Sequence, residues 1–173
     1  MSATRTPPLR GIAHAYGDHI DTDRIIPGKY TKTLDTSVLA AHVLEDLDPD
    51  FRHRVAHGDI IVAGENFGCG SSREQAPVAI KAAGVSAIVA RSFAAIFYRN
   101  AINIGLPLLE IPAHTIANGA TLHIDLDAFT VHDERDAAHY QARPLPPVMI
   151  AILRAGGLVP FLAQHGDFVL PAA

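Results

Sequence analysis

An α/β fold with a partly parallel sheet is what this sequence predicts, on three observations. Between Asp59 and Ile111 short β-branched runs alternate with helical stretches in the order βαβαβ, and strands so connected lie parallel with helices packed on the sheet. Each of the two helical stretches is closed by a glycine, Gly84 and Gly105, the usual stop for a helix that hands over to a strand. Apolar residues make up 49% of the chain and charged residues 18%, enough to bury a core and too apolar for a disordered chain. At 173 residues, one domain spanning 1–173 is expected.

The elements follow in order. Gly11 to Tyr16 reads as a short strand, and Gly17 to Asp23 is dense in turn formers. Ile25 and Ile26 are stopped by Pro27. Gly28 to Thr36 has no apolar period and carries two lysines and four hydroxyl side chains, so it reads as an exposed loop suited to anions. Thr36 or Ser37 can cap a helix running to about Leu47, because Val38, Leu39, His42, Val43 and Leu47 recur near helical spacing, and Asp48-Pro49-Asp50 ends it. Asp59 to Ala63 is a strand, Gly64 to Ser72 a glycine-rich turn and Arg73 to Ala83 a helix. Val85 to Ala90 is the next strand, Phe93 to Ile104 an amphipathic helix and Leu106 to Ile111 a third strand. Thr121 to Leu126 and Ala128 to His132 look like a hairpin around Asp127. A last helix, Pro147 to Arg154, stops at Gly156-Gly157, and Leu158 to Gln164 continues it.

Composition also excludes whole classes of function. Fourteen Lys and Arg against eighteen Asp and Glu leave a net charge of -4, so no global basic field tracks nucleic acid, and any anion site is local. The single cysteine, Cys69, forbids an internal disulfide framework and fits a reducing, cytoplasmic compartment. It also forbids an iron-sulfur cluster held by this chain alone, since a cluster needs several thiolates. Met1 to Gly11 has no apolar run to serve as a signal-peptide core, and charges at Lys81, Arg91, Arg99, Glu110, Arg143, Arg154 and Asp167 break the later apolar stretches, so no membrane span is expected. The ten histidines are scattered without a His-x-x-x-His pair on a predicted helix, and Asp21 and Asp23 lack a third carboxylate at calcium-loop spacing, so no metal site is expected. The two aspartates read as turn formers or loop-orienting acceptors.

The chemistry concentrates in Asn66-Phe67-Gly68-Cys69-Gly70-Ser71-Ser72-Arg73-Glu74-Gln75, which joins a predicted strand to a predicted helix. Gly68, Cys69 and Gly70 form a loop whose backbone can approach a ligand, and the free amides of a following helix favour an anion. Ser71 and Ser72 add short hydroxyls, while Arg73 adds a planar cation that binds a carboxylate through two parallel hydrogen bonds. A structural reading competes with this one: Ser71 with Glu74, or Ser72 with Gln75, fits a capping box. Capping explains one serine but asks for neither Gly-x-Gly nor an arginine in the first helical turn, where a cation opposes the helix dipole. A P-loop is disfavoured because no Gly-Lys-Ser/Thr follows, and a dinucleotide fingerprint because Arg73 stands where its third glycine belongs. Cys69 has no His or Asp partner at a recognisable spacing that would make it a nucleophile.

The same segment resembles the signature of the aconitase superfamily's swivelling domain, in the version found as a separate small subunit of 3-isopropylmalate dehydratase and homoaconitase. Asp21-Thr22-Asp23-Arg24-Ile25-Ile26-Pro27, Asp46-Leu47-Asp48-Pro49-Asp50-Phe51, the run from Phe97 to Pro107 and Ala155-Gly156-Gly157-Leu158 are similar to that family too, in the same order. The resemblance covers a core of about 11–164 and implies a swivelling β/β/α domain whose partly parallel central sheet is flanked by helices.

The family moves water across a double bond in 2- or 3-hydroxy acids. The resemblance implies that Ser71 is the base, acting as an alkoxide, and that Ser72 and Arg73 hold substrate carboxylate. It implies a [4Fe-4S] cluster on a large-subunit partner, none in this chain, and a small di- or tricarboxylate substrate. The loop Tyr30-Thr31-Lys32-Thr33 stands where the family contacts the substrate's variable arm. Lys32 takes a position where arginine reads an acidic arm, and Thr31 departs from the family's leucine. 3-Isopropylmalate dehydration, in leucine biosynthesis, is the leading expectation. Homoaconitase or another 2-alkylmalate or citrate-type dehydratase is the alternative, and a non-catalytic carboxylate-binding or assembly module is the rival of another class.

Overall fold

A computed structural model describes residues 6–167. Residues 1–5 and 168–173 of the expected single-domain span, and with them the start of the Met1–Gly11 stretch, lie outside the described residues. Seven strands form one sheet: β1 (Leu9–Ala15), β2 (Ile60–Ala63), β3 (Ala87–Ala90), β4 (Leu108–Glu110), β5 (Thr121–Asp125), β6 (Thr130–Asp133) and β7 (Ala138–Gln141). Their order is β4-β3-β2-β1-β5-β6-β7. The strands from β1 to β4 run parallel, and β5, β6 and β7 add to β1 as an antiparallel wing. The sheet is therefore mixed, with β1 the strand shared by both halves.

Burial explains the split. All four residues of β2 and all four of β3 are buried, as a parallel strand covered on both faces requires. In β5 and β6 buried and half-buried residues alternate, because only one face of the wing is covered. On its other face Arg10, His123, His132 and His139 stand in register across four strands.

Among the described residues seven α-helices surround the sheet, α1 (Thr22–Ile25), α2 (Thr36–His42), α3 (Phe51–Arg54), α4 (Gln75–Ala82), α5 (Ala95–Asn103), α6 (Pro147–Arg154) and α7 (Leu158–His165), and a 3-10 turn covers Gly28–Tyr30. One core packs Ile61, Ile88 and Ala90 of the sheet with Ile25, Leu39, Phe51, Ile80 and Phe97. The other packs Ile60, Val62 and Val89 with Leu122, Val131, Ile152 and Phe161. The expected α/β class and the βαβαβ unit are present.

Several boundaries differ from expectation for identifiable reasons. The helix expected to reach Leu47 ends at His42, with Asp35 rather than Thr36 or Ser37 as its cap. Leu44, with φ +57°, turns the chain so that its amide reaches the Ile25 carbonyl at 2.8 Å and its side chain is fully buried. Leu158 to Gln164 does not continue α6 but forms α7, bent 95° from it. The bend sits at Gly156-Gly157, and a Cβ on Gly157 would come within 2.8 Å of the Asn103 carbonyl. The sequence reading has no counterpart of the edge strand β7 or of the one-turn helices α1 and α3. Among the described residues no single helix is long and apolar enough to cross a membrane.

Candidate active site at the edge of the parallel strands

The glycine-rich loop leaves the C-terminal end of β2 and is held on both sides by the loops that leave β1 and β3. Toward β1, the amide of Glu65 donates to Asp18 Oδ1 (2.7 Å), that of His19 to Glu65 O (2.7 Å), that of Gly68 to Ile20 O (2.8 Å) and that of Thr22 to Cys69 O (2.8 Å). Toward β3, the amide of Asn66 donates to Ser92 Oγ (2.8 Å), that of Phe67 to Ser92 O (3.0 Å) and that of Ala94 to Phe67 O (2.9 Å). The loop thus prolongs the parallel sheet beyond its strand ends, through the bridges Asp21 to Cys69 and Phe67 to Phe93. Such an edge is where α/β sheets bind ligands.

Apolar packing fixes the loop from below. Phe67 is buried and meets Phe97 edge-on, with centroids 5.2 Å apart. Gly68 lies directly over that ring: a Cβ there would stand 2.2 Å from Phe97 Cγ, and its φ of +80° already favours glycine. Gly70, with φ +92°, has more room and serves the turn alone.

The capping reading fails on geometry. Helix α4 begins at Gln75, two residues later than expected, with Glu74 as its N-cap and no side-chain capping bond. Ser71 and Ser72 are exposed and lie in the loop ahead of the helix. What the structure uses at Ser71 is the carbonyl, which accepts from Thr22 Oγ1 (3.0 Å) and from the Arg73 amide (2.8 Å). Among the described residues neither hydroxyl has a hydrogen-bond partner. Neither serine therefore owes its place to helix capping.

Arg73 is held by two acceptors from the Asp21–Pro27 segment. Its Nη1 donates to the Ile26 carbonyl at 3.1 Å and pairs with Asp23 Oδ1 at 2.5 Å. The guanidinium lies over Gly28, where a Cβ would meet Nη2 at 3.3 Å. Asp23 is thus a loop-orienting acceptor, while Asp21 caps α1 by accepting from the Arg24 amide at 2.8 Å. Their alternation, Asp21 for the cap and Asp23 for the arginine, is the signal in Asp-Thr-Asp that points toward Arg73.

The second segment, Tyr30 to Thr33, is joined to this centre through Gln75, whose Nε2 donates to the Thr31 carbonyl at 3.0 Å. Tyr30 stacks on His42 with centroids 3.8 Å apart and planes 9° from parallel. Its hydroxyl reaches Glu45 at 3.4 Å, and Lys29 Nζ lies 4.8 Å from its ring centroid. Thr31 Oγ1 donates to the Gly28 carbonyl at 2.8 Å, and Thr33 Oγ1 accepts from the Asp35 amide at 3.0 Å. Lys32 is exposed and, among the described residues, makes no hydrogen bond or ion pair. Burial alone would raise the Glu45 carboxyl, but hydrogen bonds from His42 (2.6 Å) and Lys29 (3.1 Å) together hold it below its usual range.

The donor set fits an organic anion better than a metal. The chain has one cysteine, and among the described residues no group of three His, Cys, Asp or Glu side chains could hold an ion. A [4Fe-4S] cluster does not fit these residues.

Residues 42–114 match the model of the aconitase C-terminal domain. The chain is 51% identical over 160 residues to 3-isopropylmalate dehydratase small subunit 1 of Methanopyrus kandleri, covering 91% of this chain and 94% of that one. It is 50% identical over 155 residues to the 2,3-dimethylmalate dehydratase small subunit of Eubacterium barkeri, covering 88% and 95%. The crystal structure of a 3-isopropylmalate dehydratase from Methanocaldococcus jannaschii superposes with a TM-score of 0.89 at 45% identity, over 92% of this chain and 96% of that one. At these identities and coverages the chain belongs to the family of 3-isopropylmalate dehydratase small subunits.

Proposed function

We propose that this chain is the small subunit of a cytoplasmic hydro-lyase that isomerises an alkyl-substituted malate by dehydration and rehydration, with 3-isopropylmalate, the intermediate of leucine biosynthesis, as its substrate. The observation that carries the reading is that two exposed serines with no role in helix capping immediately precede a tethered arginine on a loop fixed from three sides.

Arg73 binds a substrate carboxylate. Its guanidinium is already oriented by Asp23 and the Ile26 carbonyl, so little rotamer freedom is lost on binding. Ser72 donates a second hydrogen bond to the same carboxylate. Ser71 Oγ takes the proton from the carbon next to the one that bears the hydroxyl. Dehydration removes that proton and the hydroxyl as water, and rehydration returns a proton and a hydroxyl with their positions exchanged. A serine is a weak base, and the neighbouring guanidinium stabilises its oxyanion. The Lewis-acid [4Fe-4S] cluster implied by the family resemblance belongs, in this reading, to the large subunit.

The name of the Eubacterium barkeri relative supports a second substrate of the same class, 2,3-dimethylmalate, whose arms are also apolar. The test is to combine the purified chain anaerobically with its cluster-bearing large subunit and follow the dehydration of 3-isopropylmalate, 2,3-dimethylmalate and homocitrate. Turnover of an alkylmalate by the complex, absent from either subunit alone, is expected. Binding of these acids without turnover would leave a carboxylate-binding module instead.

A further inference from the structure

A second cleft, of about 350 Å³, opens where β1, β2 and β3 end, and the chain between β4 and β5 closes it. Its walls are fixed through one peptide group. The Glu65 amide donates to Asp18 Oδ1 at 2.7 Å, and the carbonyl of the same peptide, Gly64 O, accepts from the Arg91 amide at 3.0 Å. Asp18 Oδ1 and the Arg91 backbone nitrogen are therefore at most roughly 8 Å apart, one on each side of the strand end. The Asp18 carboxylate lies against Gly64, where a Cβ would collide with Oδ1.

The Arg91 side chain turns toward the connection between β4 and β5. Its Nη2 donates to the His114 carbonyl at 3.3 Å, and His114 Nε2 donates in turn to the Ala63 carbonyl at 3.0 Å, one residue before Gly64. This circuit holds the guanidinium at the cleft. His114 is buried, and burial keeps its imidazole below its usual range against the opposing effect of the Ala63 bond, with the charge of Arg91 acting in the same direction as burial. The ring is uncharged at neutral pH, so Asp18 and Arg91 are the charges that line the cleft.

These two charges do not neutralise each other. Among the described residues neither makes an ion pair, Asp18 Oδ2 has no partner, and only Nη2 of the Arg91 guanidinium is engaged. Ala15, Val62 and Ile116 supply an apolar wall beside them, in a cleft of the size that takes a small molecule. A plain carboxylate would gain Arg91 but meet the like charge of Asp18, and a plain amine would meet the reverse. A carboxylate and an ammonium on one carbon satisfy both charges at once.

We infer that this cleft binds an α-amino acid with a small aliphatic side chain, its carboxylate on Arg91, its ammonium on Asp18 and its side chain against Ala15, Val62 and Ile116. The site shares no residue with the Ser71–Arg73 centre, and it does not depend on the substrate reading proposed above.

The experiment titrates the full chain with L-valine, with 3-methylbutanoate, which lacks the ammonium, and with isobutylamine, which lacks the carboxylate, and reads dissociation constants from chemical-shift changes. L-Valine binds at one per chain, and each analogue about tenfold or more weakly. Arg91→Met and Asp18→Asn, which keep the bonds to the Gly64 carbonyl and the Glu65 amide, weaken L-valine by a similar factor, while Arg73→Met leaves it unchanged. Absence of saturable L-valine binding overturns the inference. Binding of 3-methylbutanoate as tight as that of L-valine also overturns it, by reducing the cleft to a carboxylate site. Loss of L-valine binding in Arg73→Met overturns it by moving the amino acid to the Ser71 loop. Where a variant fails to fold, the comparison of the three ligands on the wild-type chain still decides.

Discussion

Arg73 Nη1 and Asp23 Oδ1 form an ion pair of 2.5 Å across two loops that are 50 residues apart in the chain, with the Ile26 carbonyl as the guanidinium's second acceptor. Asp23 is 63% exposed, so solvent screens the pair and its contribution to stability is small, on the order of 0 to 1 kcal/mol. Its effect is orientation. Asp23→Asn is expected to raise KM for the substrate by roughly tenfold while shifting the melting free energy by less than about 1 kcal/mol. Steady-state kinetics beside thermal melts check this, and an unchanged KM would mean that the Ile26 carbonyl suffices to place Arg73.

Gly68 and Gly119 share a φ of +80° but differ in surroundings. A Cβ on Gly68 collides with the Phe97 ring at 2.2 Å, whereas one on Gly119 meets nothing within 4 Å. Gly119→Ala should cost only the backbone strain, about 1 to 2 kcal/mol. Gly68→Ala should cost at least about 2 kcal/mol more, because the ring beneath must move within a packed core. Denaturant melts of the two variants give the comparison directly. Equal losses would show that the Phe67, Phe93 and Phe97 cluster yields freely.

The pH dependence of stability should have two identifiable limbs. Arg54 donates to Asp48 at 2.6 and 3.1 Å and, against the opposing effect of burial, holds that carboxyl below its usual range. Burial first, then the hydrogen bond to Asp48 at 2.8 Å, push the Tyr16 phenol well above its usual value. The depressed carboxyl contributes stability that is present above the unfolded value of about 3.9 and is lost as pH falls through the folded one. The raised phenol works in the opposite direction: its stability is present below about pH 10 and is lost as pH rises beyond it. Asp48→Asn is expected to flatten the acid limb and Tyr16→Phe the alkaline limb, each read from melts across pH. Limbs that keep their slopes would assign the titrations to other groups.

Lys32 is exposed on the loop between α1 and α2, and among the described residues its ammonium has no partner. A lysine near the bound arm favours a carboxylate and gains nothing from an alkyl group. Lys32→Val should lower kcat/KM for a tricarboxylate such as homoaconitate by more than about tenfold, about 1.4 kcal/mol, and spare or improve 3-isopropylmalate. An unchanged ranking of these substrates would leave Lys32 a solvated loop residue.

The parallel half of the sheet was legible because its physics is local. Ile60–Ala63, between Gly58 and Gly64, and Ala87–Ala90, after Gly84, are buried on both faces, so hydrophobic runs and breakers marked them. Strand β7 was not, because Ala-His-Tyr-Gln is an edge strand held by pairing to β6 alone. The end of α2 was misread because Leu44 is turned by a bond to Ile25, a residue on another segment. At the site, Ser71, Ser72 and Arg73 stood out through a surplus over what capping requires. The tie from Asp23 to Arg73 and the clamp at Tyr30 depend on contacts between segments.

The central claim is that Ser71 is a base and not a helix cap, and the Ser71→Ala variant of the assembled enzyme tests it most directly. Helix α4 takes no capping bond from Ser71, so its loss should leave the melting temperature nearly unchanged. Loss of a general base should lower kcat by at least roughly 10²-fold with little change in KM. A kcat near that of the wild type, with a stability loss of about 1 kcal/mol, would contradict the account and return Ser71 to a structural role.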